Sequence, residues 1–426
     1  MLAKPVTPPM GWNSWDCYGP AVTEEIVRKN AAFMAEHLKD YGWEYIVVDI
    51  QWYEPAADTH AYHPFTEVCL DEYSRLIPAP GRFPSSAGGK GFAPLAEYVH
   101  SLGLKFGIHI MRGISRQAVH QNGKILGSGH TAREIAATDS ICAWNTDMYG
   151  VDVTKEGAKA YYDSLFSLYA SWGVDFIKCD DIAREFPHAK EELLMIADAL
   201  EHCGREMVFS LSPGPAPLEQ AELFKEISNM WRMTDDFWDT WDALYAMFER
   251  AEKWCIHSGA GHWPDADMLP VGPIRQDYSK DNRTNFTEEE QITMMTLWCI
   301  FRSPLMIGGE MTGFDSFTMK LLTNPEILRM CRDARHAHPL WRRDVDGCEQ
   351  IVWMASSHAG GNYLAVFNAG DEDRQWEISL EDAEIYERVS GTELWSGDAV
   401  ECEDVLDVNV PLHGARVYYL NHLEED

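Results

Sequence analysis

Val174-Asp175-Phe176-Ile177-Lys178-Cys179-Asp180-Asp181 is a short apolar run that stops abruptly in a lysine and two acids. β-Branched and aromatic residues in a run of this length make a buried strand, and charge at its end belongs to a solvent-facing rim. Gly173 stands immediately before it. The same junction, a helical stretch closed by glycine with a strand following at once, recurs at Gly42 before residues 43–49, Gly103 before 104–109 and Gly204 before 205–212. Glycine just past a helix end takes the left-handed conformation that other residues resist. Each unit is a helix feeding a strand, and alternating helices and strands imply a parallel sheet with helices outside it.

The interval from Gly173 to Gly204, 31 residues, matches the ~30 residues of a minimal βαβ unit. The two earlier intervals carry insertions, and both follow the strand: residues 52–90, rich in Pro, Gly and acids, and residues 111–153. Loops elaborated after strands belong to the active face of a (β/α)8 barrel, where the chemistry of such enzymes sits. Residues 10–15, 229–234, 262–265 and 305–308 supply further strands. An open doubly wound sheet competes, but no GxGxxG follows any strand. After about residue 340 the texture becomes short alternating runs, at 351–355, 363–368, 376–380, 405–410 and 417–420, parted by Gly, Asp and Asn turns. The expected architecture is therefore an α/β chain with a (β/α)8 TIM barrel over 1–340 and a small antiparallel β-sandwich over 341–426.

A net charge of -33 argues against nucleic acid and against an anionic membrane surface as partners. The first residues lack an apolar h-region and no run is long enough to span a bilayer, which gives the expectation of a soluble, cytoplasmic protein. Ten cysteines are scattered without CxxC pairs, a pattern of buried thiols rather than a disulfide framework. His336 with His338, and His257 with His262, lack the spacing of a metal site; no Gly-rich phosphate cradle and no GxSxG elbow occur. No cofactor and no metal is expected.

The strand ends present Asp49, His109, Lys178 with Asp180 and Asp181, Asp235 with Asp236, and Asp265 with Asp267. A single rim acid is as readily a solvated loop residue or a helix cap. Titratable groups gathered at five rim positions, carboxylates at four of them, with Lys178 and Arg232 as cations among them, offer a nucleophile and an acid together. Two carboxylates with stacking aromatics on a barrel rim point to glycoside hydrolysis, and sixteen tryptophans suit sugar faces. A sugar-binding barrel without catalysis is the non-enzyme alternative.

Pro8-Pro9-Met10-Gly11-Trp12-Asn13-Ser14-Trp15, Lys178-Cys179-Asp180, Trp231-Arg232-Met233-Thr234-Asp235-Asp236 and Asp265-Ala266-Asp267-Met268-Leu269 resemble, in order, glycoside hydrolase family 27. This is a family of α-galactosidases and α-N-acetylgalactosaminidases. The resemblance runs from Pro8 to the closing β-domain, and it implies a retaining exo-glycosidase acting on small glycosides or oligosaccharides with terminal galacto-configured sugars. Asp180 then matches the nucleophile, and Asp236, five residues after Trp231, the acid/base. Trp15, Asp49, Lys178, Arg232 and Asp267 would line the sugar pocket, and His109 stands where a tyrosine is usual. Lys178, two residues before Asp180, shares its face of the strand and can lower its pKa. A retaining mechanism places the two carboxyls about 5 to 5.5 Å apart. A homo-oligomer is compatible with this reading.

Three departures bear on specificity. Family α-galactosidases usually carry two adjacent acids after the second strand, holding O4 and O6, and here the pair reads Asp49-Ile50. Isoleucine accepts no hydrogen bond, so a galactose CH2OH would lose a partner, whereas β-L-arabinopyranose has the same ring configuration without that group. This favours a β-L-arabinopyranoside over an α-galactoside. The alternative is that Ile50 turns into the core and Gln51 binds O6. The Cys-Glu-Trp that reads the C2 substituent is replaced by Ser212-Pro213-Gly214, which keeps N-acetylgalactosamine open, with Ser212 as a substrate-binding candidate. Ile182 occupies the place of a cysteine that often forms a disulfide in secreted members.

Overall fold

Eight parallel strands hydrogen-bond in one row in the computed structural model, which describes residues 1–58, 60–276 and 279–423. They are β1 (Met10–Asn13), β2 (Tyr45–Val48), β3 (Lys105–Met111), β4 (Phe176–Asp180), β5 (Val208–Leu211), β6 (Met230–Arg232), β7 (Trp263–Asp265) and β8 (Leu305–Ile307). Chain order is spatial order from β1 to β7, and β8 pairs with β1. A bridge between Leu269, just past β7, and Ile307 of β8 joins the two ends of the row. The result is a TIM barrel, with each expected strand in place.

The junction glycines work as the sequence suggests. Gly42, Gly103, Gly173 and Gly204 have φ of 99°, 77°, 81° and 84°, the left-handed region in which a side chain is disfavoured. Helix Glu24–His37 starts at Thr23, whose side chain accepts from the Ile26 N–H. The insertion after β3 folds into a small antiparallel sheet of Ile114–Ser115, Met148–Val151 and Ala136–Ile141. Among its described residues the insertion after β2 carries one short 3₁₀ turn, Pro84–Ser86, and an isolated antiparallel bridge between Leu70 and Leu76.

The C-terminal part pairs a six-stranded antiparallel sheet with a two-stranded one, Arg374–Ser379 and Val405–Val410. The six-stranded sheet begins with Ala334–Val345, which runs across the expected division at 340/341 and pairs with Cys348–Ser357. Its polar sequence, Arg335-His336-Ala337-His338, hides it from a search for alternating apolar residues, as do the short strands Val389–Glu393 and Ala399–Cys402. Period-two alternation within Cys348–Ser357 decides how the two parts join. Ile351, Trp353 and Ala355 enter the apolar cluster of the barrel, whereas Val352 and Met354 face Trp376, Ile378, Leu406 and Val408 inside the sandwich. Phe367 of this sheet meets Phe248 of a barrel helix edge-on at 5.0 Å. Among the described residues no helix is long and apolar enough to cross a membrane, and all ten cysteines are free thiols.

Candidate active site

The carboxyl ends of the barrel strands open into a cavity of about 410 Å³. Trp15, Asp49, Ile50, Lys178, Asp180, Arg232, Asp236 and Asp267, all anticipated from the sequence, line it together.

The floor is built on β4. Strand alternation puts Lys178 and Asp180 on the inner face and sends Cys179 into the core. Both carboxylate oxygens of Asp180 are held: Oδ2 accepts from His109 Nε2 at 3.0 Å, and Oδ1 from the backbone N–H of Asp181 at 2.8 Å. Burial alone would push this carboxyl up, but the His109 hydrogen bond and charge, then Lys178, outweigh it and pull it down to about 2. Asp180 is thus an anion at neutral pH and well into the acid range.

Asp49, at the end of β2, is fully enclosed. Its carboxylate accepts from Asn13 Nδ2 (2.7 Å), Lys178 Nζ (2.9 Å) and the Ile50 N–H (2.9 Å). Burial opposes its charge, yet Lys178 and His109 leave it below the usual carboxylate range, and Lys178 is raised in turn despite its own burial, by Asp49 and Asp180. The opposite wall hangs on Arg232 of β6. Its Nη2 bonds Asp267 Oδ2, Asp236 Oδ1 at 3.0 Å and the Asp235 carbonyl at 3.2 Å. Asp267 also accepts from the N–H groups of Phe237 and Met268, each at 2.7 Å.

The two candidate catalytic acids occupy different environments. The Asp180 side chain is 13 % exposed and sits at the bottom; that of Asp236 is 62 % exposed and sits at the mouth. A shielded anion beside an acid in contact with water matches the division of labour between a nucleophile and a group that must exchange protons.

Two anticipated residues lie elsewhere. His109 is completely buried and is not part of the cavity wall; it acts on Asp180, and its Nε2 also lies 3.9 Å from Asp49 Oδ1. Ser212 does not line the cavity either. Its hydroxyl turns to the Cys179 carbonyl at 3.5 Å, beneath the floor, and Pro213 presents its ring to the cavity instead. Ile50 faces the cavity, and Gln51 turns away to donate to Asp147 Oδ2 at 2.5 Å.

The sequence reading missed Asp16, Tyr62, Trp144, Arg184, Phe237 and Trp238. Tyr62 and Trp144 come one from each post-strand insertion and form an aromatic wall with Trp15: Trp15 stacks on Tyr62 at 5.6 Å, and Tyr62 meets Trp144 at 5.6 Å. Aromatics within insertions on the active side were the available signal. Asp16 adjoins Trp15, and its carboxylate sits over Gly308, where a Cβ would come within 2.1 Å of Oδ2. Burial and the nearby Asp267 raise its pKa well above the ordinary value.

Removing the His109 ring has a signed consequence. In His109→Ala, burial of Asp180 persists while its principal lowering contact is gone, so its pKa rises. The acid limb of kcat/KM is expected to move to higher pH. An acid limb that stays at the wild-type position would show that His109 does not set the ionisation of Asp180.

Residues 7–156 and 146–333 match the protein family described as α-galactosidase A, and residues 347–420 match the α-galactosidase C-terminal β-sandwich domain. A family 27 β-L-arabinopyranosidase from Geobacillus stearothermophilus is 53% identical, covers 99% of this chain and 98% of its own, and superposes with a TM-score of 0.95. The chain belongs to glycoside hydrolase family 27. A further solved structure, a candidate α-N-acetylgalactosaminidase from Bacillus halodurans, is 51% identical over 99% of this chain and 100% of its own, with a TM-score of 0.86. α-Galactosidase 3 of Arabidopsis thaliana is 26% identical over 97% of this chain and 82% of its own. The family 27 protein described here is a glycoside hydrolase.

Proposed function

We propose that this family 27 enzyme is a retaining exo-β-L-arabinopyranosidase, with Asp180 as nucleophile and Asp236 as acid/base. The observation that carries the substrate assignment is Ile50. It is 1 % exposed, follows Asp49 directly and forms part of the cavity wall, while Gln51 is committed to Asp147. A galactose CH2OH arriving there would bury its hydroxyl against a branched aliphatic chain, whereas arabinopyranose places only a ring CH2 in the same position. The Geobacillus stearothermophilus relative is named for this activity, and a variant of it has been solved with arabinose.

Chemistry follows from the two environments. Asp180, ionised and fixed at both oxygens, attacks the anomeric carbon as Asp236 gives its proton to the leaving oxygen, forming a glycosyl ester. Asp236 then takes a proton from water, which attacks the same carbon and releases Asp180. Asp49 with Lys178 on one side, and Arg232 with Asp267 on the other, supply fixed partners for the ring hydroxyls. Trp15, Tyr62 and Trp144 shield the sugar and exclude water.

Comparing kcat/KM on aryl β-L-arabinopyranoside and aryl α-D-galactopyranoside tests this assignment. A clear preference for the arabinopyranoside is expected, and a preference for the galactoside would refute the Ile50 argument. An α-N-acetylgalactosaminidase is the second reading, favoured by the Bacillus halodurans relative and by the apolar Pro213 lining the cavity; efficient release from the aryl N-acetylgalactosaminide would select it.

A further inference from the structure

Asp181 follows the nucleophile and takes no part in the cavity wall, but it is built into the site from behind. It is 5 % exposed, with φ of 59°, a left-handed conformation uncommon outside glycine and here enforced by its contacts. Arg112, at the exit of β3, does the enforcing. Its backbone N–H donates to the Asp180 carbonyl (3.0 Å), its Nε to the Asp181 carbonyl (2.9 Å) and its Nη2 to Asp181 Oδ2 (2.8 Å). The third guanidinium nitrogen, Nη1, reaches Glu192 Oε2 at 2.9 Å, on helix Phe186–His202. Glu192 is itself fixed by the Val151 N–H at 2.9 Å and by the Tyr162 hydroxyl. With the side chain and carbonyl of residue 181 both anchored to one rigid fork, one polar group of that residue is left, its N–H, and it points at Asp180 Oδ1.

A buried ion pair is a poor source of stability, because desolvation offsets the attraction, so three charged groups enclosed this far call for another reason. Geometry supplies one. We infer that Arg112 and Asp181 are positioning residues for glycosyl transfer, which hold the residue 181 N–H on the nucleophile and so fix the plane of its carboxylate. The inference rests on the reading of Asp180 as nucleophile. His109 holds one oxygen from β3 and the Asp181 N–H holds the other, so the carboxylate cannot rotate away from the anomeric carbon. The β4 exit is thereby tied to β3 through Arg112.

Asp181→Gly and Asp181→Asn, assayed beside the wild type and Asp180→Gly on aryl β-L-arabinopyranoside, test this. Glycine adopts a φ near 59° without strain, so the first variant keeps the backbone and removes only the anchor. Its kcat is expected to fall about ten- to hundredfold, with a much smaller change in KM, because a misplaced reacting group slows chemistry while the glycone contacts of Asp49, Lys178, Arg232 and Asp267 stay intact. Its acid limb should also move to higher pH, since a slackened hydrogen bond favours the ionised carboxylate less. The groups facing Asp180 are His109 of β3, Lys178 and Cys179 of its own strand, Arg232 of β6, Tyr62 and Cys142 of the insertions, and the Asp181 carboxylate; only the last changes in these variants, and because loss of its negative charge alone would lower the Asp180 pKa, a raised acid limb reports the slackened hydrogen bond. Asp181→Asn retains an oxygen for Arg112 Nη2 and should fall between the wild type and glycine; if Asp181→Gly does not fold, a lowered kcat with a raised acid limb in Asp181→Asn carries the inference, and wild-type values in it overturn the inference. Wild-type kcat and acid limb in a folded Asp181→Gly, even at a lower Tm, would make the network merely structural. Asp180→Gly separates the two readings: full activity there refutes the nucleophile itself, whereas an inactive Asp180→Gly beside a wild-type-like Asp181→Gly refutes the positioning role alone.

Discussion

Asp180→Gly is expected to lose on the order of 10⁴-fold or more in kcat, because the covalent step loses its nucleophile and the remaining groups only bind and polarise. The loss should be partly reversible with azide on an aryl glycoside that carries a good leaving group. Azide fits the space vacated by the carboxylate and enters from the same face, so the rescued product is a glycosyl azide of inverted anomeric configuration. The wild type, by double displacement, releases sugar of retained configuration. The surroundings of Asp180 favour this outcome: Lys178 and His109 hold an anion in wild type and would attract an anion in the variant. Azide products of retained configuration, or turnover left intact by the substitution, would place the nucleophile elsewhere.

The second large effect concerns the substrate. Ile50→Asp places a carboxylate on the cavity wall next to Asp49, where a galactose O6 hydroxyl would find an acceptor in place of an isoleucine side chain. The ratio of kcat/KM for galactoside over arabinopyranoside is expected to rise by roughly 10²-fold, the scale on which enzymes discriminate a group that must otherwise be buried unpaired. Part of the gain is opposed. A second acid beside the fully buried Asp49 adds like charge, which raises the pKa of both carboxyls, and Lys178 is already bonded to Asp49 at 2.9 Å. Activity on arabinopyranoside should therefore fall as well, through loss of the apolar wall, and the ratio is the quantity that isolates the C5 contact.

Most of the barrel was legible because its signals are local. The apolar run that stops at Lys178 and Asp180 specifies a buried strand and the side of the barrel on which it ends, and Gly42, Gly103, Gly173 and Gly204 mark the helix-to-strand junctions through a single backbone requirement. Rim carboxylates follow from the strand ends by counting. Loop residues do not. Nothing in the spacing of Tyr62 or Trp144 within their insertions tells that both rings reach Trp15, since that depends on how the insertions fold over the rim. Ser212 shows the converse: it was placed by analogy of position, but the chain turns its hydroxyl toward Cys179 and leaves Pro213 facing the cavity. Strand Ala334–Val345 was missed because half-buried polar residues carry no alternation, its partner being the apolar Cys348–Ser357. The contact of Asp181 with Arg112 is invisible in the sequence, because the two are far apart along the chain and meet only when β3 and β4 lie side by side.

We propose that Ile50 turns a family 27 site built on Asp180 and Asp236 toward arabinopyranosides. The most direct measurement of this is kcat/KM for the wild type and Ile50→Asp, each on aryl β-L-arabinopyranoside and aryl α-D-galactopyranoside with the same leaving group. The wild type should prefer the arabinopyranoside, and in the variant that preference should shrink by roughly 10²-fold or reverse. A wild type that prefers the galactoside, or the same ratio in both proteins, would contradict it.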